Sequence, residues 1–123
     1  MSAARQAATL KPALEAMPGA EGSALPSAPG VTLYKVMGKM FAILETRKID
    51  CVILKCDPHL AEVMRETYAG VGHRSHLDRR FWIAVTLDAD VPMKEVKRLA
   101  AQSYDLVRAK LTRKQQAELE ALS

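Results

Sequence analysis

Basic side chains gather in segments that the sequence predicts to be hairpin tips and tight turns. Protruding tips with positive charge can follow the phosphates of a nucleic acid, and an exposed aromatic ring beside them can stack on a base. We therefore predict a DNA-binding surface. Its residues are Lys39, Arg47, Lys48, His73, Arg74, His76, Arg79, Arg80 and Trp82. The alternative is that these charges are ordinary solvated loop residues and that Trp82 and Tyr34 belong to the core.

A metal site is the second chemistry that the residue types suggest. His73 and His76 stand three positions apart, and Cys56 and Asp78 are further candidate ligands. A tetrahedral zinc site needs four ligands, and the sequence has no second Cys/His pair to complete the set. We therefore predict no metal and no other cofactor.

Two cysteines are candidate nucleophiles, and catalysis would require one of them beside a base that a third group orients. Cys51 and Cys56 fall within a predicted strand, where a thiol is more often small apolar filler than a reactive thiolate. Their odd separation points them to opposite faces, so we expect two reduced thiols in a cytoplasmic protein. The sequence has neither a glycine-rich phosphate loop nor a pair of carboxylates placed for acid–base work. We predict a binding protein rather than an enzyme.

Length and composition describe an ordinary globular chain. Its 123 residues fit one domain, and the hydrophobic and charged fractions of 49% and 26% are typical. No apolar run approaches the roughly 20 residues that span a membrane, and the N-terminus lacks the apolar core of a secretory signal. The net charge of +4 is modest and lies mainly in the second half. The last long predicted helix contributes a basic outer face over residues 94–108, although a charged outer face is also what any solvated helix shows.

The first thirty residues predict a helix followed by a loop. Residues 2–17 have helical composition, but Pro12 is unfavourable inside a helix, so we expect Thr9 to cap a helix over Leu10–Met17. Residues 1–8, and likewise 116–123 at the other end, are expected to fray. Residues 18–30 hold several glycines and prolines without periodicity, and we predict a loop there.

The rest of the chain predicts two hairpin-like groups of strands separated by helices. Strands are expected at Val31–Met37, Lys39–Glu45 and Asp50–Cys56, and a second hairpin over residues 71–87. Asp57-Pro58 begins one helix, Asp90 and Pro92 begin another, and Thr112 to Gln115 has the spacing of a capping box for a short tail helix. The order helix, three strands, helix, two strands, helix predicts an α+β two-layer sandwich, with an antiparallel sheet and the helices on one face.

Several short segments carry a family resemblance. They are Met17–Glu21, Tyr34–Val36 with Gly38–Ala42, Leu54–Pro58, His76-Leu77 with Arg80 and Trp82, and Ser103–Val107 before Lys110-Leu111. Over about residues 10 to 111 the chain resembles the MmcQ/YjbR family of small bacterial proteins. The resemblance implies a secretion-chaperone-like fold with the same element order, and DNA binding through a double-wing arrangement of hairpins. It brings no catalytic residues. Relatives often have an aromatic, glycine-containing segment where this chain has residues 24–30, so ligand contacts of that loop are not expected here.

Two functions compete at this point. A DNA-binding module would depend on the hairpin arginines and would bind less tightly as salt rises. A protein-interaction domain, chaperone-like or adaptor, would instead use the open face or an edge of the sheet, with binding that tolerates salt. A small-ligand pocket beneath residues 18–30 is a third possibility that no residue favours. The sequence leaves the oligomeric state open.

Overall fold

An antiparallel sheet of six strands forms the body of the fold, and four helices pack against it. The computed structural model describes residues 2–73 and 77–122, to which these counts refer. The strands are β1 (Ala20–Leu25), β2 (Ala28–Val36), β3 (Lys39–Glu45), β4 (Cys51–Lys55), β5 (Val71–Gly72) and β6 (Trp82–Thr86). They lie side by side in the order β1-β2-β3-β4-β6-β5. The helices are α1 (Ala3–Glu15), α2 (Pro58–Thr67), α3 (Met93–Arg108) and α4 (Arg113–Leu122).

One face of the sheet carries the hydrophobic core. The residues of one row across this face are buried, namely Tyr34, Ala42, Leu54 and Ile83. They form a single cluster with buried residues of every helix, including Leu14, Ala61, Leu99 and Leu119. The predicted α+β fold with helices on one face of an antiparallel sheet is therefore confirmed. In the described part of the chain, none of these helices is long and apolar enough to cross a membrane.

The predicted loop over residues 18–30 is wrong, because β1 and the start of β2 lie within it. β1 is the outermost strand of its side of the sheet and is mostly exposed, so it lacks the apolar alternation that marks a half-buried strand. Gly22 pairs with Tyr34, and a Cβ at Gly22 would lie 2.8 Å from the tyrosine ring. The missing side chain lets the ring pack flat over β1. The order is thus helix, four strands, helix, two strands and two helices.

The first helix begins earlier than its sequence predicts. α1 starts at Ala3, and the hydroxyl of Ser2 accepts a hydrogen bond from the Arg5 N–H at 3.2 Å. Thr9 is not the cap: its hydroxyl donates to the Arg5 carbonyl inside the helix. Pro12 is accommodated within α1. Burial of Ala7, together with Leu10 and Leu14, fixes the turns that were expected to fray.

The last helix follows its capping signal. The Thr112 hydroxyl accepts from the Gln115 N–H, and the Gln115 side chain accepts from the Thr112 N–H, both at 3.1 Å. This reciprocal pair is the predicted capping box. α4 continues to Leu122 and buries Leu119 completely, so residues 116–122 are helical rather than frayed.

The two hairpins differ in how closely they match the prediction. β2 and β3 are joined through Met37 and Gly38, which both have positive φ, as the tightest hairpin turns require. Within the predicted hairpin over residues 71–87, β5 is a pair of residues only, and β6 begins at Trp82. The residues before β6 form a turn instead, in which the Asp78 carbonyl accepts from the N–H groups of Phe81 and Trp82.

At one end of the sheet, a helix side chain enters between two strands. Phe41 is an extra residue in the β2–β3 pairing. The β3–β4 pairing runs from Glu45 and Cys51 to Ala42 and Leu54 and does not reach Phe41. The fully buried Ser103 hydroxyl of α3 donates to the Phe41 carbonyl at 2.6 Å and accepts from the Lys55 N–H at 2.8 Å. α3 is thereby fixed to both strands where they separate.

Candidate functional site

Strand direction divides the predicted DNA-binding residues between two ends of the sheet. Lys39 begins β3 at the end where Lys55 pairs with Trp82, here called the Trp82 end. Arg47 and Lys48 follow β3 at the opposite end. β3 has seven residues, so the two ends are about 20 Å apart. The structure therefore brings Lys39, Arg79, Arg80 and Trp82 to one end and leaves Arg47 and Lys48 at the other.

The opposite end carries one ion pair among the predicted residues. Arg47 and Lys48 are exposed in the connection between β3 and β4. The Arg47 guanidinium donates to Glu45 at 2.9 Å. Part of the positive charge at this end is therefore balanced within the protein.

The connection between β5 and β6 is described only in part. His73 is half-buried, and its ring nitrogen Nε2 lies within hydrogen-bond distance of the Leu77 carbonyl. Arg74 and His76 lie outside the described residues. The structure therefore gives no distance between His73 and His76, the two histidines considered as metal ligands. Within residues 2–73 and 77–122, no three His, Cys, Asp or Glu side chains are placed to hold a metal ion.

A groove opens at the Trp82 end between the start of α2 and the last turns of α3. It consists of two adjoining cavities of about 370 and 360 Å³, which share Cys56, Asp57 and Leu106. The first is also lined by Leu60, Gln102, Asp105 and Ala109, and the second by Lys55, Pro58, Phe81, Trp82 and Lys110. Three segments that carry the family resemblance, distant in sequence, meet in this groove.

Two aromatic side chains, Phe81 and Trp82, line the second cavity of the groove. Phe81 is 37% exposed, which is unusual for a large apolar side chain, and Trp82 is half-buried. The Arg80 guanidinium lies 5.2 Å from the centre of the Phe81 ring, within the range of a cation–π contact. With Lys55 and Lys110, the groove combines ring faces and cations.

The turn that carries these rings is firmly held. Arg65 of α2 donates through one guanidinium nitrogen to the carbonyls of Arg79, at 2.6 Å, and Trp82, at 3.0 Å. The Asp78 carboxylate accepts from the Arg80 backbone and guanidinium, and these hydrogen bonds lower the pKa of Asp78 to about 2. The aromatic pair is thus preorganised rather than carried on a loose loop.

Cys56 lies at the floor of the groove as a neutral thiol. Burial, and secondarily the charge of Asp57, raises its pKa to about 11. At neutral pH the side chain is therefore protonated and is a poor nucleophile. The Asp57 carboxylate caps α2 by accepting from the His59 and Leu60 N–H groups, as its sequence position predicts.

Several groove residues were absent from the predicted surface. The family resemblance could have indicated several of them, because its segments contain or adjoin Lys55, Phe81, Leu106 and Lys110. Gln102 directly precedes the Ser103–Val107 segment, so the same signal applied to it. Its side-chain oxygen is buried without a hydrogen-bond partner among residues 2–73 and 77–122.

The fold and the groove define a class: a small α+β protein with an open antiparallel sheet, helices on one face, and an aromatic, mixed-charge groove at one sheet end. Residues 15–106 match the YjbR family model. The chain is 34% identical over 90 residues to the uncharacterized protein YjbR of Escherichia coli K12, a match that covers 72% of this chain and 75% of that protein. The chain belongs to the YjbR family, as its resemblance implied.

Solved structures agree with this assignment. A crystal structure of a Deinococcus radiodurans protein with a DUF419 domain has a TM-score of 0.80 at 28% identity, covering 90% of this chain and 85% of that one. A Pseudomonas syringae protein shares the fold, with a TM-score of 0.71 at 18% identity over 81% of this chain and 97% of that one.

Proposed function

We propose that this protein is a non-enzymatic binding protein that takes up single-stranded DNA in the groove at the Trp82 end. The observation that carries the proposal is the pair of partly exposed rings, Phe81 and Trp82, in a groove that also holds Lys55 and Lys110. Base–aromatic stacking contributes about 1–3 kcal/mol per base, and nearby lysines can contact the phosphates. An unpaired strand offers its base faces to such rings, whereas a duplex keeps them stacked.

The placement of the hairpins supports this function. The β2–β3 turn and the β5–β6 connection both lie at the Trp82 end, next to Lys39 and Arg79 respectively. This is the arrangement that a double wing requires, with both wings reaching the same ligand. Lys39 and Arg79 are both exposed and could contact the strand on either side of the groove.

Mixed charge at the groove sets the expected salt dependence. Asp57 and Asp105 line it together with Lys55 and Lys110, so the surface lacks the dominant positive field of a duplex-binding protein. We expect only two or three phosphate contacts. For a single strand, each contact contributes about −0.7 to the slope of log affinity against log salt, which gives a slope near −2.

The sole tryptophan of the sequence provides a local reporter, because it is Trp82 itself. Titrating the protein with oligothymidylate and with a duplex of equal length, at several salt concentrations, should quench Trp82 fluorescence with the single strand only. The double variant Lys55→Gln/Lys110→Gln should bind more weakly, with a salt slope shallower by about 1.4.

The matched control lies at the opposite end of the sheet. The double variant Arg47→Gln/Lys48→Gln removes the same charge about 20 Å away and should retain wild-type affinity and slope. Equal losses in the two double variants would contradict a groove-centred site. Binding without quenching would place the strand elsewhere, and no binding at low salt would end the DNA proposal.

A protein partner is the second candidate, and the face of the sheet opposite the helices favours it. Leu33, Ile43, Ile53 and Ala84 form an apolar row there. Ile53 and Ala84 are each 3% exposed, so the surface left for a partner is mainly Leu33 and Ile43. Salt-insensitive binding that is lost in Leu33→Lys, but not in the groove variant, would favour this candidate.

A reducing, cytoplasmic location is also part of the proposal. Both Cys51 and Cys56 are buried thiols rather than half-cystines. Buried cysteines that remain reduced are typical of proteins in the cytoplasm.

A further inference from the structure

A third cavity adjoins the groove and is rich in arginine. It has a volume of about 280 Å³ and shares Pro58 with the cavity that holds Phe81 and Trp82. Its remaining lining residues are Glu62, Arg65, Glu66, Arg79 and Arg80. The Trp82 cavity therefore borders a cavity lined by three arginines.

Arg65 is incompletely satisfied in this cavity. It is half-buried and donates hydrogen bonds to the neutral carbonyls of Arg79 and Trp82. Its Nε is buried without a hydrogen-bond partner, and Arg65 forms no ion pair with the described residues. Arg65 therefore keeps its full positive charge, which can attract an anion into the cavity that it lines.

The two glutamates restrict which anion fits. Glu62 and Glu66 stand on the α2 wall of the cavity, one turn apart, and would repel a phosphate that carries two charges. A phosphodiester carries one charge and suffers less repulsion. The Arg80 guanidinium is already engaged by Asp78, which leaves Arg65 and Arg79 to hold it.

We infer that the arginine cavity binds the backbone phosphodiester next to the base that stacks on Trp82, through Arg65 and Arg79. The inference rests on the proposed function and assigns a different part of the nucleotide to each cavity. The aromatic cavity takes a base, the arginine cavity takes the phosphodiester, and a dinucleoside monophosphate is the smallest ligand that occupies both.

The test compares two thymidine dinucleotides, one with a natural phosphodiester and one with an uncharged methylphosphonate linkage, by quenching of Trp82 fluorescence. The natural linkage should bind the wild-type protein at least about tenfold more tightly, as expected for one charge-assisted contact. In Arg79→Gln the ratio should shrink to below about threefold on the same basis. This variant keeps the Arg79 carbonyl that Arg65 holds, so the turn stays in place.

Arg47→Gln is the matched control and should leave the ratio unchanged. If Arg79→Gln also leaves the ratio unchanged while both dinucleotides quench Trp82, the phosphodiester is bound elsewhere and the inference fails, although the groove proposal stands. If neither the dinucleotides nor the longer oligothymidylate quench Trp82, the inference and the groove proposal fail together.

Discussion

Replacing Ser103 by alanine should be among the most damaging small substitutions in this protein. The Ser103 hydroxyl is fully buried and makes two short hydrogen bonds, to the Phe41 carbonyl and from the Lys55 N–H. These backbone groups belong to β3 and β4 at the point where direct pairing has ended. Alanine removes the bridge and leaves the Phe41 carbonyl, which is buried, and the Lys55 N–H, which is partly buried, without the Ser103 hydroxyl as partner.

The magnitude follows from those two orphaned groups. A buried donor or acceptor left without a partner costs about 1–3 kcal/mol, so two of them cost about 4 kcal/mol. Alanine recovers about 0.5 kcal/mol through its higher helix propensity, and a small closure of the strands recovers some more. We expect a net loss near 3 kcal/mol, which lowers Tm by about 10 °C for a chain of this length.

Urea unfolding followed by circular dichroism measures this loss directly. The variant should show a lower midpoint and an unchanged m-value, because the surface exposed on unfolding stays the same. Ser23→Ala, on the exposed strand β1, is the matched control and should change stability by less than about 0.5 kcal/mol. A loss below about 1 kcal/mol in Ser103→Ala would show that the strands pair without the bridge, and the reasoning would be refuted.

Two further substitutions test buried and charged groups. The Tyr34 hydroxyl is buried without a hydrogen-bond partner in the described part of the chain. Tyr34→Phe should therefore leave stability unchanged or raise it by up to about 1 kcal/mol in urea unfolding, and a clear loss would reveal a partner. Asp90 accepts hydrogen bonds from the Gly70 and Ala69 N–H groups, and these bonds lower the pKa of its carboxyl group in the folded protein. The stability that they add is therefore fully present above the unfolded-state pKa near 4 and is lost as the pH falls through the folded-state pKa. On acidification below about pH 4, the Asp90→Asn variant should therefore lose less stability than the wild type. Both proteins should remain partly sensitive to acid, because the pKa values of Asp78 and Glu95 are also lowered. Parallel stability–pH curves for the two proteins would contradict this assignment.

Local signals accounted for the elements that were predicted well. Asp57-Pro58 caps and begins α2, Gly38 sits in the β2–β3 turn, and the capping box begins α4. Each of these features depends on a few adjacent residues. The β1 strand could not be found in this way, because it is a mostly exposed edge strand without the apolar alternation of a half-buried strand. The early start of α1 likewise depends on burial of Ala7 against the sheet layer.

Some positions in the candidate site follow from strand direction, whereas others depend on how distant elements pack. That Arg47 lies opposite Lys39 follows from strand direction alone, because consecutive antiparallel turns fall at alternate ends of a sheet. The sequence therefore contained this separation. By contrast, Leu106 and Lys110 reach the groove only because α3 docks with Ser103 between two strands. No periodicity along the chain encodes that docking.

The anchoring of α3 has a consequence for substitutions that line the groove. Ser103 holds the helix to the sheet, while Leu106, Ala109 and Lys110 line the groove from its last turns and the residues that follow. Side chains beyond the anchor can therefore be exchanged without disturbing the joint between helix and sheet. Substitutions along this short stretch should therefore change the lining of the groove while α3 stays attached to β3 and β4.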